Sequence, residues 1–394
     1  MTYRLGELAD LVTKGTTPKQ YVESFAEDSV IFIRAENING TIIGEDSFKY
    51  IDKETHEKEL KRSILKENDI LITIAGSLGR MAKITRKFLP ANTNQAVAIV
   101  RITRKDVNVD YIFYALRKPN LIENAIASSS QSVQPNLNLQ QISDLEIELP
   151  SIDLQNKIAS ILKSFDNLIE HNNSLINKFN KMLWAFYDKY FCYSVDDILP
   201  KGWRLLTLGD VTSNNREKVG NRLCPVFSAL NTGILMPSTE YFTKQVFSKD
   251  ISKYIVVRKH DFAYNPARIN IGSIGINDFD YDGCVSPVYV AFTVEEEYVN
   301  FFRYFLKSVP FKEEVASRAS GSVRQTLNYS DFAMIKLPYP PKETISAFNK
   351  EYYTITKLIS DLKEKNESLS SLRDSILMKI FNGEFDEITF DSEE

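Results

Sequence analysis

The sequence predicts an α+β protein: two similar mixed α/β globular domains, separated by two long helices that pair as an antiparallel coiled coil. Three observations predict this. The chain repeats itself, each copy holds several short strands with few helices, and each copy ends in a long apolar periodicity. At the start, "YRLGELAD" (Tyr3 to Asp10) returns as "WRLLTLGD" (Trp203 to Asp210) at a shift of 200 positions (203 − 3). "SVQPNLNLQQISDLEIELP" (Ser132 to Pro150) returns as "SVRQTLNYSDFAMIKLP" (Ser322 to Pro338). Solenoid units run ~20–50 residues, so this period marks a duplicated domain instead.

Residues 1–150 form the first predicted domain. Its β-rich runs are Asp28 to Ile38, Asn68 to Gly76 and Gln95 to Ile102, and Val109 to Lys118 reads as a short helix. Residues 151–193 form the first helical segment. Ile158, Ile161, Phe165, Leu168, Asn172, Leu175, Phe179, Met182 and Phe186 alternate by three and four, a heptad seam with one polar position. Leu162, Ile169, Ile176, Leu183 and Tyr190 add a second apolar line, so this helix must bury a broad face. Pro200 ends the segment, and a reversal this short favours antiparallel pairing.

Residues 200–340 repeat the first domain. "HDFAYNPARINIGSIGI" and "CVSPVYVAFTV" are strand signals, and "YVNFFRYFLK" (Tyr298 to Lys307) is an aromatic helix. Residues 341–385 repeat the helix, with Phe348, Tyr352, Ile355, Ile359, Leu362, Asn366 and Leu369 in phase. Asn366 falls where Asn172 fell, at a shift of 194 positions (366 − 172), and "NNSL" matches "NESL". A polar residue at a seam position fixes register at some cost in stability. The helix-pairing set is therefore Ile158, Ile161, Phe165, Asn172, Phe179, Ile355, Ile359, Asn366 and Leu369.

Composition narrows the function. Lys and Arg number 48 against 52 Asp and Glu, so autonomous, charge-driven nucleic-acid binding is disfavoured while local basic patches remain open. Three scattered cysteines and three scattered histidines suggest reduced thiols in a cytoplasmic protein and no metal site. No run is long and apolar enough for a membrane span. There is no G-x-x-x-x-G-K-[ST] motor loop and no G-x-G-x-x-G after a strand. "YNPARI" (Tyr264 to Ile269) lacks the second proline of an amino-methyltransferase motif. "AGSLGR" (Ala75 to Arg80) reads either as a phosphate cradle or as a turn after a strand.

The order domain, long helix, domain, long helix resembles the specificity subunit of type I restriction–modification systems. "QNKIASILKSFDNLIEHNNSLINKFNKMLWAFY" (Gln155 to Tyr187) is similar to that family's first helical spacer. "LPKGWRLLTLGDV" (Leu199 to Val211) resembles the entry to its second target-recognition domain, and "KLISDLKEKNESLSSLRDSILMKIFNGEF" (Lys357 to Phe385) its second spacer. The resemblance implies a non-catalytic reader of double-stranded DNA. Each target-recognition domain would read half of a bipartite site. The helices would set the spacer and dock two methyltransferase subunits, with restriction–translocase subunits joining that core. S-adenosylmethionine, ATP and Mg would be held by the partners, with no cofactor on this chain.

Such readers present cations to phosphates, and Arg, Asn and Gln to base edges. First-domain candidates are Lys14, Thr16, Thr17, Arg34, Asn37, Ser77, Arg80, Asn92, Asn94, Gln95, Gln131, Gln134 and Asn136. Second-domain candidates are Asn214, Asn215, Arg216, Asn265, Arg268, Ser273, Arg318, Ser322, Arg324 and Gln325. The competing class is a coiled-coil scaffold without nucleic acid. It accounts for the helices and the acidic charge, but not for two similar domains whose matching loops differ.

Overall fold

The structure, a computed structural model, describes residues 1–22, 29–39, 42–44, 48–127, 136–241, 247–319 and 326–383. It divides into two compact units. One joins Met1–Asn172 to Glu364–Glu394, and the other is Asn173–Lys363. Each long helix is therefore shared, half to each unit.

In the first unit a four-stranded antiparallel sheet runs in the order Leu11–Lys14, Val97–Arg101, Ile70–Thr73, Met81–Lys83. Alternation along its strands sends side chains to opposite faces. Ile70, Ile72, Ala98 and Val100 pack with the helices, including Ile158, Leu162, Leu377 and Ile380 of the long pair. Leu71, Val97 and Ile99 face the other way, onto Ile33, Ile38 and Phe88. That second face is covered by a three-stranded sheet, Lys49–Ile51, Val30–Ile33, Ala91–Thr93. Thr2–Arg4 pairs with Glu146–Glu148, tying the chain start to the strand that leads into the long helix.

The second unit repeats the plan. Its sheet runs Thr212–Asn215, Val290–Val294, Phe262–Tyr264, Ile274–Ile276, and Arg204–Thr207 pairs with Lys336–Tyr339. Phe262, Tyr264 and Phe292 face the helices, while Ala263 and Ala291 face Phe227, Leu235 and Val285. The copies diverge on the outer face. There the second unit builds two strand pairs, Phe227–Ala229 with Leu235–Pro237 and Ile255–Val257 with Gly283–Val285.

The first long helix spans Ile152–Tyr190 and the second Lys342–Phe381. Buried Gln155 fixes the start of the first: its amide accepts from Asn108 N–H at 2.8 Å and donates to the Pro150 carbonyl at 2.9 Å. Within the first unit Asp166 meets Arg373 and Asn172 meets Asn366, so the halves run antiparallel. The Asn172 amide donates to the Asn366 side-chain oxygen at 2.8 Å. The buried stripe is rotated from the expected seam. Leu168 is 51% exposed and Met182 46%, whereas Leu162 and Leu183 are buried. Each helix half must cover a sheet-bearing domain as well as its partner helix, which shifts the buried centre toward the second apolar line. Arg373, which stands where the first helix has Phe179, is buried and held by Asp166 and Asp374. Asn172→Ala is expected to leave the half-buried Asn366 amide without this partner. The cost should be about 1 kcal/mol in denaturant midpoint analysis; an unchanged midpoint would show that the pair contributes nothing.

Candidate nucleic-acid interface

In the first unit the strand end at Lys14 and the turn at Asn94–Gln95 meet. Gly15 N–H donates to the Val97 carbonyl and Thr16 N–H to the Thr93 carbonyl, both at 3.0 Å. The approach needs glycine, because a Cβ on Gly15 would overlap the carbonyls of Thr93 and Asn94. Lys14, Thr17 and Gln95 are exposed there, and the Thr17 hydroxyl donates to the Gln95 side-chain oxygen. Arg62 joins them at 3.4 Å from the Thr16 hydroxyl. Arg62 was missed because it sits in the charged run "EKELKRS", which reads as a solvated face.

A second polar group lies beyond strand Ile70–Thr73. Exposed Arg80 donates to the Ile38 carbonyl at 3.4 Å and to Asn39 Oδ1 at 3.3 Å, beside exposed Ser77. The Thr73 hydroxyl braces this loop on the Ser77 carbonyl at 2.5 Å and accepts from Arg80 N–H at 2.9 Å. Leu137 N–H donates to the Ile74 carbonyl at 3.3 Å, which anchors the chain at this strand end, with Asn136 exposed. The second unit repeats the anchor: Leu327 N–H donates to the Pro266 carbonyl at 3.0 Å, near exposed Arg268. Gln131, Gln134, Ser322, Arg324 and Gln325 lie outside the described residues.

Several candidates make contacts within the fold. Asn37 is 1% exposed; its side chain accepts from Arg34 N–H at 2.8 Å and closes a tight turn. Asn92 is buried against His56, Leu60 and Ser63. Asn94 is half-buried, its side-chain oxygen enclosed. Asn215 donates to the Val256 carbonyl at 2.9 Å and Ser273 to the Ala229 carbonyl at 3.2 Å. Asn265 accepts from Ala267 N–H at 3.0 Å, which shapes the turn that exposes Arg268. Arg318 binds Glu314 at 3.1 Å along its own helix. Arg34 pairs with Glu36 at 2.5 Å. Asn214 is half-buried, while Arg216, just past the first strand of the second sheet, is exposed. Arg80→Ala is expected to weaken specific DNA binding by about one to two decades, since a good base contact is worth roughly 1–3 kcal/mol. A gel-shift titration with full retention of fold and affinity would remove it from the interface.

Two copies of one α+β domain, each exposing arginine near its strand ends and the first adding the Gln95 amide, have the form of a nucleic-acid reader with two reading heads. Residues 1–181 match the family described as the type I restriction modification DNA specificity domain. The chain is 24% identical over 417 residues to the type I restriction enzyme MjaIX specificity subunit of Methanocaldococcus jannaschii, covering 96% of this chain and 91% of that one. It is 27% identical over 169 residues to the EcoBI specificity subunit of Escherichia coli, covering 42% of this chain and 35% of that one. The solved S subunit of a type I system from M. genitalium covers 97% of this chain and 96% of its own, at 18% identity and a TM-score of 0.48. The four-stranded sheet of the second unit repeats the strand order of the first. Residues 1–181 thus carry a type I restriction modification DNA specificity domain, and the chain is similar along nearly its whole length to type I specificity subunits. Specificity subunits of such systems are non-catalytic DNA-recognition subunits. No helix among the described residues is long and apolar enough to cross a membrane.

Proposed function

We propose that each unit reads one half of a bipartite site in double-stranded DNA, and that the long helices set the spacer and dock two methyltransferase subunits. Restriction–translocase subunits join that core in the cytoplasm. S-adenosylmethionine, ATP and Mg are held by those partners. One observation carries the reading: the copies share a sheet but carry different side chains at its reading end, Thr17, Gln95 and Arg80 against Arg216 and Arg268. One scaffold with two sets of reading groups suits two half-sites of different sequence.

The direct test is reconstitution. The purified chain alone should transfer no methyl group to DNA, and adding the methyltransferase encoded with it should give methylation at one split motif. Methyl transfer by the chain alone, or a contiguous motif, would sink the proposal. Within that complex, Arg324→Ala is expected to lower methylation at one half-site only.

A further inference from the structure

The two copies place one cation at the same point and surround it differently. In the short helices, Tyr114 and Arg117 correspond to Tyr304 and Lys307 at a shift of 190 positions (307 − 117). In the long helices, at the shift of 194 that relates Asn172 to Asn366, Asp166 corresponds to Ser360 and Asp374 to Asn180. The first unit balances its cation internally. Arg117 lies 3.3 Å from Asp374, while Asp166 accepts from the Tyr114 hydroxyl at 2.6 Å and pairs with Arg373 at 2.5 Å. The second unit keeps the cation and replaces both carboxylates with neutral groups.

What remains there is a cavity of about 440 Å³ lined by Lys307, Lys363, Arg303, Ser360 and Asn180, with Trp184 and Tyr304 as an aromatic wall. Arg303 is held by Asp278 at 2.5 and 2.7 Å, so its charge is already met. No described residue forms an ion pair or hydrogen bond with the Lys307 ammonium. Burial holds its pKa below the usual lysine range, and Arg303 and Lys312 push it the same way against Asp278 alone. The Lys307 stem lies over Gly233, where a Cβ would overlap it. Trp184 stands edge-on to Tyr304 at 4.8 Å. A half-buried cation without its carboxylate is costly unless an anion completes it. A concave site with an apolar wall and a few convergent polar groups is the form that small ligands take.

We infer that this cavity of the second unit binds a small oxyanion-bearing molecule, a carboxylate or a phosphate, with Lys307 as its counter-charge and Ser360 and Asn180 as neutral hydrogen-bonding partners. The site is independent of DNA reading, and its test needs neither DNA nor a partner subunit. Trp203→Phe leaves Trp184 as the only tryptophan of the full chain. That protein is titrated at constant ionic strength with inorganic phosphate, AMP or glutarate, against chloride. A saturable change in Trp184 emission with an oxyanion and not with chloride is expected. AMP binding tighter than phosphate would identify a ring-bearing ligand, and phosphate alone a bare anion. Lys307→Met should weaken binding roughly tenfold or more. Asn180→Asp with Ser360→Asp rebuilds the carboxylates of the first unit, and should abolish binding while raising the Tm of the unliganded chain. No saturable response to any oxyanion, or a response that survives the double aspartate variant, overturns the site.

Discussion

Replacing residues 1–150 with the matching domain of a relative is expected to change one half of the methylated motif and leave the other half untouched. Replacing 200–340 should do the reverse. The effect is all-or-none, because specificity is a difference between competing sequences and each mismatched base pair costs about 1–3 kcal/mol. The physical basis is the separate core of each unit, with its own sheet and its own covering strands. Methylome sequencing of strains carrying each chimera is the measurement. If either exchange rewrites both halves, the units do not read independently.

Arg101→Ala should be the most destabilising single surface-to-core change in the first unit. Arg101 binds Asp69 twice, at 2.7 and 2.6 Å, and also reaches the Ile64 carbonyl at 2.9 Å. Asp69 is fully buried, so truncating its partner strands a charge; breaking such a pair costs about 3–5 kcal/mol. The second unit places Asp261 at the same point, 192 positions on (261 − 69). Each accepts from a turn N–H three residues earlier, that of Lys66 at 2.7 Å or Arg258 at 2.8 Å. Asp261 lacks the bidentate arginine and is met instead by the Asn215 amide at 3.3 Å. Burial raises its pKa above the ordinary carboxylate value. Its unfolded form ionises first, so stability is lost as pH rises from that ordinary value through the folded one. Asp261→Asn should remove that loss and be neutral or stabilising at pH 7, whereas Asp69→Asn should destabilise. Chemical denaturation of the two variants across pH checks the contrast; equal losses in both would refute it.

Much of the architecture is legible in the sequence, for physical reasons. A period near 3.6 sustained over ten turns has no competing reading, so the first helix runs Ile152–Tyr190 as its pattern implies. The strand cores at Ile70–Thr73 and Val97–Arg101 show as apolar runs because both faces are buried. The face each helix buries is less legible, since Leu162 and Leu168 are equally apolar and only the covering domain distinguishes them. The site is legible in part. Gln95 and Arg80 sit at strand ends flagged by turn residues and are exposed. Asn37 and Asn92 carry the same amide yet serve the interior, because an asparagine in sequence does not say whether its partners are backbone or solvent. Lys307 gave no signal at all. Its meaning emerges only when the neutral Ser360 and Asn180 are set beside the acids at the same points of the other copy.

The division of the long helices also sets an order of completion. The second unit is one continuous stretch, Asn173–Lys363, whereas the first needs the part of the second long helix beyond Lys363 to finish it. Leu377 and Ile380 fill the core of a domain whose first strand begins at Thr2. During synthesis the domain that leaves the ribosome first is therefore the last to close. A premature stop near residue 363 would damage the amino-terminal reading head and spare the other.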